Sequence, residues 1–269
     1  MRFRVLVVVP LLWAAALVVG MLALAGEPAF GAFLRAEMEL AKAMPVVGAV
    51  LAAFAFSRGE YLRRAWLFYG AAMLLLLARD AVFGLAVPEG VAWRGAARGG
   101  ATLLANASAV VGTWMLARAW KVAGLELPGP RWAQHAVLAA AVVLSLASAG
   151  SAVVVNFQRL LAGEGEALVW IASGLGDLVI LVLIAPLLLT ALALRGGLLG
   201  WPWALLTTSS IAWLCFDGTL AVLPLVEASP WLVTAVSETF RSLACLFAFS
   251  AGVAQRFAIL GVKNGVRPG

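Results

Sequence analysis

Six ionisable side chains fall within stretches of this sequence that are otherwise almost continuously apolar. They are Arg79, Asp80, Asp177, Asp217, Glu238 and Arg241. A charged group in the hydrocarbon of a bilayer costs about 3 kcal/mol or more unless it finds a partner, water or the interface. Each of these residues is therefore a candidate for binding a ligand or an ion, or for an ion pair between helices.

Both interpretations of these charges stay open at the level of sequence. In the first, the carboxylates line a polar vestibule that holds a cation, a small polar solute or a proton. In the second, Arg79 and Arg241 neutralise Asp80, Asp217 or Glu238 and tie helices together. Glu238 and Arg241 are three residues apart, so they share one face of a helix. The two interpretations do not exclude each other.

The apolar stretches themselves identify the class of protein. Of the 269 residues, 64% are hydrophobic and 12% are charged. A soluble domain of this size cannot bury so much apolar surface, and continuous runs of about 20 residues are typical of transmembrane helices. The sequence predicts an all-α polytopic protein with eight spans and no soluble domain. The predicted spans are 4–25, 39–57, 61–86, 100–122, 132–155, 167–194, 201–224 and 233–260.

The distribution of basic residues predicts the orientation of these spans. If the N-terminus lies in the cytoplasm, most of the lysines and arginines near span ends lie on the cytoplasmic side, as the positive-inside rule requires. Both termini are then cytoplasmic, the first span is a retained helix, and the six charged residues lie in the outer half of the membrane. Glu37, Glu39 and Lys42 open the second span on the same side. Seven tryptophans near span ends, Trp203 among them, are expected to be interfacial anchors.

Two segments of the chain repeat the same spacing of residues. An Arg-Gly pair is followed by a tryptophan eight residues after the arginine and by an aspartate twenty-two residues after it. The copies are Arg58, Trp66 and Asp80, and then Arg195, Trp203 and Asp217.

Other residues recur at nearly the same separation of 137 residues. Glu39 corresponds to Asp177, and Arg118 to Arg256, each within one residue. Pro45 and Pro186 correspond less well, with a slip of four residues. The pattern predicts two four-helix halves, 1–128 and 129–269, related by a pseudo-twofold axis along the membrane normal. Pro186, ten residues after Gly176, also favours a kink in the sixth span.

Residues for familiar enzyme chemistry are few. The single histidine, His135, lies at the predicted cytoplasmic start of the fifth span, so a bis-histidine haem or a histidine-rich metal site is not expected. The basic pI is explained by retained cytoplasmic lysines and arginines, and no nucleic-acid partner is expected. No catalytic residue, metal ligand or cofactor is therefore assigned.

With its Arg, Trp and Asp aligned, the chain resembles the multi-helix membrane sensor regions that precede GGDEF and histidine-kinase modules in bacteria. No such output module follows, so the resemblance implies a separate partner chain. The leading hypothesis is a bacterial inner-membrane, non-enzymatic sensor-like or accessory subunit that binds a ligand on the outer side, or binds another membrane protein or a second copy. The first alternative is a small-solute or ion transporter or channel that uses Asp177, Asp217 and Glu238. The second is a membrane-embedded lipid enzyme.

Overall fold

The computed structural model describes residues 4–83, 93–165 and 167–263, and within these ranges the regular structure is entirely helical. The helices are α1 (Val5–Ala23), α2 (Phe30–Ala53), α3 (Tyr61–Ala81), α4 (Arg94–Ala117), α5 (Ala119–Val122), α6 (Arg131–Leu161), α7 (Ala167–Val182), α8 (Ile184–Ala193), α9 (Gly200–Val222) and α10 (Pro230–Lys263). A 3-10 turn, Leu223–Val226, follows α9. The all-α prediction is confirmed.

Seven of the helical segments are long and apolar enough to cross a membrane, with α7 and α8 counted as one. The protein therefore has the features of a multi-pass membrane protein. The remaining long helix, α2, has 24 residues but carries four charged residues between positions 35 and 42, namely Arg35, Glu37, Glu39 and Lys42. These charges interrupt its apolar stretch, and several of them are matched by partners on neighbouring helices, as described below.

The sixth predicted span is broken, as Pro186 suggested. The helix is interrupted at Leu183, between α7 and α8. Proline has no N–H to donate to the carbonyl four residues earlier, and its ring clashes with that carbonyl. The carbonyl that lacks this donor is that of Val182, the last residue of α7. Pro45, by contrast, lies within a continuous α2.

Six of the helical segments form a closed ring. Going round it, α2 packs on α3, α3 on α4, α4 on α7, α8 on α9, α9 on α10, and α10 back on α2. The kinked α7–α8 segment takes one place in this ring. Helix α1 packs outside the ring against α10, and α6 packs outside it against α7 and α9.

The helices approach most closely where α10 crosses α2. A Cβ atom added to Gly252 would lie 2.1 Å from the carbonyl oxygen of Gly48, and one added to Gly48 would lie 2.7 Å from the Cα of Phe249. No side chain larger than hydrogen fits at either position. Such small-residue contacts allow van der Waals packing between helices where no hydrophobic effect drives their association.

One correction concerns the tryptophans of the repeat. Trp66 is completely buried and Trp203 is 3% exposed, so neither is an interfacial anchor. Trp203 Nε1 donates to the carbonyl of Leu116 on α4 at 3.2 Å. Both rings belong to one apolar core with Leu116, Leu187 and Leu206. A tryptophan early in a span suits either the interface or the core, and here its indole packs between helices.

The α2–α10 crossing gives a stability prediction. Gly252→Ala should lower the stability of the purified protein in detergent by about 1–3 kcal/mol, because the added methyl group forces the two helices apart. Gly100→Ala is the matched control, since a Cβ there meets nothing within 4 Å. That control should be neutral or raise stability by up to about 1 kcal/mol through helix propensity. Equal effects of the two substitutions on the thermal midpoint would contradict the close crossing.

Candidate functional site

The middle of α2 and the C-terminal end of α3 are joined by an ion-pair network. Lys42 Nζ lies 2.6 Å from Asp80 Oδ2 and 3.6 Å from Glu39 Oε1. Arg79 also binds Asp80, with its NH2 group 2.7 Å from Oδ1, and it reaches α4 by donating to Thr102 Oγ1 at 3.1 Å. These side chains are largely buried. Arg79 and Asp80 thus belong to one ion-pair network, in which Lys42 of α2 is the second cation bound to Asp80.

A second pair lies at the start of α10. Arg241 donates to Glu238, one helical turn away, as the spacing predicted. The Arg241 guanidinium also lies over the ring of Phe216 on α9, 5.8 Å from its centroid. The residue after Arg241 on α10, Ser242, donates to Glu37 Oε1 at 2.7 Å, and Trp13 Nε1 donates to the same oxygen at 3.1 Å. Glu37 thereby connects α1, α2 and α10.

Asp177 and Asp217 differ from Asp80 and Glu238. Within the described ranges, neither has a hydrogen bond or an ion pair. The Arg79 guanidinium is held by Asp80 and Thr102, and that of Arg241 by Glu238.

Both of these carboxylates line one cavity, which has a volume of about 190 Å³. This is far larger than the roughly 10–15 Å³ that one water molecule needs, and smaller than the roughly 300–1,000 Å³ of sites for drug-sized ligands. The cavity is therefore suited to a small solute. Its polar lining is completed by Asn106, Thr113, Ser209, Ser210 and the Tyr69 side chain.

The cavity lies inside the helical ring, where α3 and α9 face each other. Tyr69, Met73 and Leu76 line it from α3, and Leu206, Ser210 and Trp213 line it from α9. Each residue of the first set is 137 positions before its counterpart in the second. The repeat spacing read from Asp80 and Asp217 thus recurs among the residues that line this cavity.

Asn106 is the polar residue of the cavity with the most defined orientation. It is 9% exposed, and its amide nitrogen donates to the carbonyl and the Oγ of Ser173, at 3.1 and 2.8 Å. Because its N–H groups are used on α7, its side-chain oxygen remains an acceptor, and the described residues donate no hydrogen bond to it. Asn106 was not predicted, since a single asparagine in a span carries no sequence signal of its function.

Leucines connect the cavity to the apolar core. Leu116, Leu187 and Leu206 line it and also belong to the core that contains Trp66 and Trp203. A second cavity of about 860 Å³ has an arginine-rich lining that includes Arg35, Arg94, Arg98, Glu39 and Asp80. Glu39 and Asp80 of the ion-pair network thus line this second cavity, whereas Asp177 and Asp217 line the first.

No family model matches this chain, and neither the curated proteins nor the solved structures searched contain a match. The interpretation of the cavity therefore depends on the geometry of its own residues.

Replacing Asp80 by asparagine and replacing Asp217 by asparagine should affect the stability of the protein differently. Asp80→Asn removes the main partner of Lys42, and breaking such a buried pair should lower stability by about 2–4 kcal/mol. Asp217→Asn removes an unpartnered, largely buried charge, so it should leave the ligand-free protein unchanged or more stable by about 1 kcal/mol. Thermal unfolding in a low-salt detergent buffer measures both. A loss of stability in Asp217→Asn as large as that in Asp80→Asn would mean that Asp217 has a structural partner.

Proposed function

We propose that this chain is a bacterial inner-membrane protein that binds a small cationic solute from the non-cytoplasmic side and acts as a sensor-like or accessory subunit. The observation that carries the proposal is the pair of carboxylates, Asp177 and Asp217, which face one cavity without a partner among the described residues. Two negative charges in a mostly apolar enclosure are costly when empty, and a bound cation removes that cost.

The membrane arrangement that accompanies this proposal has eight spans, with α2 crossing as well. Two observations support it: α2 packs between α3 and α10 within the ring, and its charges bind partners on those helices. The excess of basic residues on one side supports cytoplasmic termini. The order of helix contacts round the ring supports the division into 1–128 and 129–269. In each half the second helix packs on the third and the third on the fourth, and the fourth packs on the second helix of the other half.

The packing below the cavity favours binding and signalling over conduction. A continuous path would have to pass the core of Trp66, Trp203, Leu116 and Leu187, whose side chains are buried and in mutual contact. A ligand that enters from the outer side therefore stops at the level of Asp177 and Asp217. Binding there would draw α7 and α9 together, and a partner membrane protein in contact with the bundle would detect that movement.

Transport is the second candidate function, because residues from both halves of the chain line the cavity. Carriers built from two repeats commonly place the substrate at the repeat interface near the bilayer midplane, and alternating access then requires the inner core to open. Uptake of a radiolabelled cation into proteoliposomes distinguishes the two candidates. Uptake that depends on Asp177 would support transport, whereas saturable binding without uptake would support the sensor-like function.

The proposed cation site can be tested by the thermal stability of the purified protein. Sodium, potassium, ammonium and methylammonium chlorides are compared with N-methylglucamine chloride, whose cation is too large for the cavity, at equal ionic strength. At least one small cation should raise the unfolding midpoint by roughly 2–5 °C at ten times its Kd. Asp177→Asn and Asp217→Asn should each reduce that rise at least fivefold, because each removes one of two charges that bind the cation.

Glu164→Gln is the matched control for this experiment. It neutralises an acid whose ion pair with Arg159 is about half exposed, so it should leave the cation effect unchanged. If no small cation exceeds N-methylglucamine, or if the two asparagine variants respond like the unmodified protein, the proposed function is wrong.

A further inference from the structure

The first half of the chain already contains a cation bound between two carboxylates. The cation is the ammonium group of Lys42, which lies 2.6 Å from Asp80 and 3.6 Å from Glu39. Lys42 comes from the same helix as Glu39, one turn later, and Asp80 comes from the adjacent helix α3. The arrangement consists of one acid from each of two neighbouring helices and a primary ammonium between them.

The second half repeats the two acids and omits the ammonium. At the repeat separation of 137–138 residues, Asp177 corresponds to Glu39 and Asp217 to Asp80. The residue that corresponds to Lys42 is Ile180, one turn after Asp177 as Lys42 is one turn after Glu39. Asp177, Ile180 and Asp217 all line the 190 Å³ cavity. An isoleucine supplies no charge, so the second half has the carboxylates of the first without their cation.

From this correspondence we infer that the cavity binds the primary ammonium group of a small organic amine, in the place that the Lys42 ammonium takes in the first half. The inference rests on the proposed cation site and specifies the chemistry of its ligand. The amine would be a free molecule from the outer side, because the chain itself contributes no cation at Ile180.

The acceptors around the cavity match the donors of an ammonium group. A primary ammonium has three N–H donors and no acceptor. The cavity offers a carboxylate from Asp177, a carboxylate from Asp217 and the free amide oxygen of Asn106. Asn106 is more than nine-tenths buried, and its orientation is fixed by Ser173. Charge-assisted hydrogen bonds to two carboxylates are the strong kind that can repay the desolvation of the amine.

The remaining walls favour an organic amine over a bare metal ion. Ile180, Leu181, Trp213 and Phe216 contribute apolar surface, and the Trp213 and Phe216 rings pack edge to face with centroids 5.5 Å apart. A short alkyl group gains from contact with such walls, and an aromatic ring also attracts the positive charge of an alkylammonium. Hard metal cations instead favour clusters of charged ligands, and the described residues contain no group of three or more His, Cys, Asp or Glu side chains that could hold a metal ion.

Titration of the purified protein with matched cations tests the ligand class. Methylammonium and ethylammonium are compared with potassium, and with tetramethylammonium, which has the same charge but no N–H donor. We expect the primary amines to bind at least tenfold more tightly than potassium or tetramethylammonium, measured by calorimetry and by the thermal midpoint.

The possible outcomes separate this inference from the proposed function. If potassium or tetramethylammonium binds as tightly as the primary amines, and that binding still needs Asp177 and Asp217, the cation site stands and the ammonium inference is overturned. If no cation binds, both are overturned.

A lysine introduced at position 180, which corresponds to Lys42, tests directly whether the two acid pairs correspond. Ile180→Lys should place an ammonium between Asp177 and Asp217, raise the thermal midpoint and abolish methylammonium binding. The same lysine in the Asp177→Asn, Asp217→Asn double variant should lower the midpoint, because its charge then has no carboxylate partner. Ile180→Met controls for the change of side-chain shape, since it alters the cavity wall without adding a charge. Its loss of amine binding should be at least tenfold smaller than that of Ile180→Lys.

The correspondence between Lys42 and Ile180 is wrong if Ile180→Lys lowers the thermal midpoint as much in the unmodified background as in the Asp177→Asn, Asp217→Asn background. It is also wrong if the Ile180→Lys protein still binds methylammonium. Should Ile180→Lys fail to fold, the cation titrations of the unmodified protein decide the question independently.

Discussion

A charge inside a bilayer must be matched, and this constraint accounts for the ion pairs and hydrogen bonds that join the helices of this bundle. Lys42 and Asp80, on adjacent helices, match each other at 2.6 Å, and Arg79 extends the pair to Thr102 on α4. Glu37 is matched by a serine and a tryptophan from two other helices. Because each match requires the helices to lie at one depth and rotation, the polar contacts define how α1, α2, α3, α4 and α10 are aligned.

The same constraint bears on Asp177 and Asp217. They lie 137–138 residues after Glu39 and Asp80, but they face a cavity in place of a lysine. Keeping two unmatched carboxylates lowers the stability of the empty protein, and ligand-binding sites commonly carry such a cost because binding removes it. Below them, the bundle is tightly packed around Trp66 and Trp203, which holds the cavity walls and closes them towards the predicted cytoplasmic side.

Much of this architecture could be predicted from the sequence, because long apolar runs have one stable form in a membrane. The helical class, seven of the expected spans and the break near Pro186 followed from composition and proline chemistry. Helix α2 was harder, since the sequence alone suggested a start at residue 39, whereas it begins at Phe30 and includes four charged residues. Its charges are tolerated through partners on other helices, which only the packing reveals.

The candidate site was predicted in part. Because Asp80, Asp177 and Asp217 all lie in apolar runs, the sequence makes each of them a candidate site residue. The residues next to them in sequence do not show which of the three has an ion-pair partner. Lys42 is 38 residues from Asp80, and Asn106 is 71 residues from Asp177, so both assignments need the arrangement of the helices. Trp203 was wrongly expected at the interface, because a tryptophan near the end of a span suits either environment.

The proposed site requires Asp177 and Asp217 to bind a primary ammonium as Asp80 and Glu39 bind Lys42. The most direct test is an experimental structure of the protein with methylammonium at a saturating concentration. Density for the amine nitrogen is expected within about 2.7–3.0 Å of both carboxylates, with Asn106 as a further acceptor. A cavity that holds only water under these conditions, or an Arg79 guanidinium that bridges to Asp177, would rule out this site.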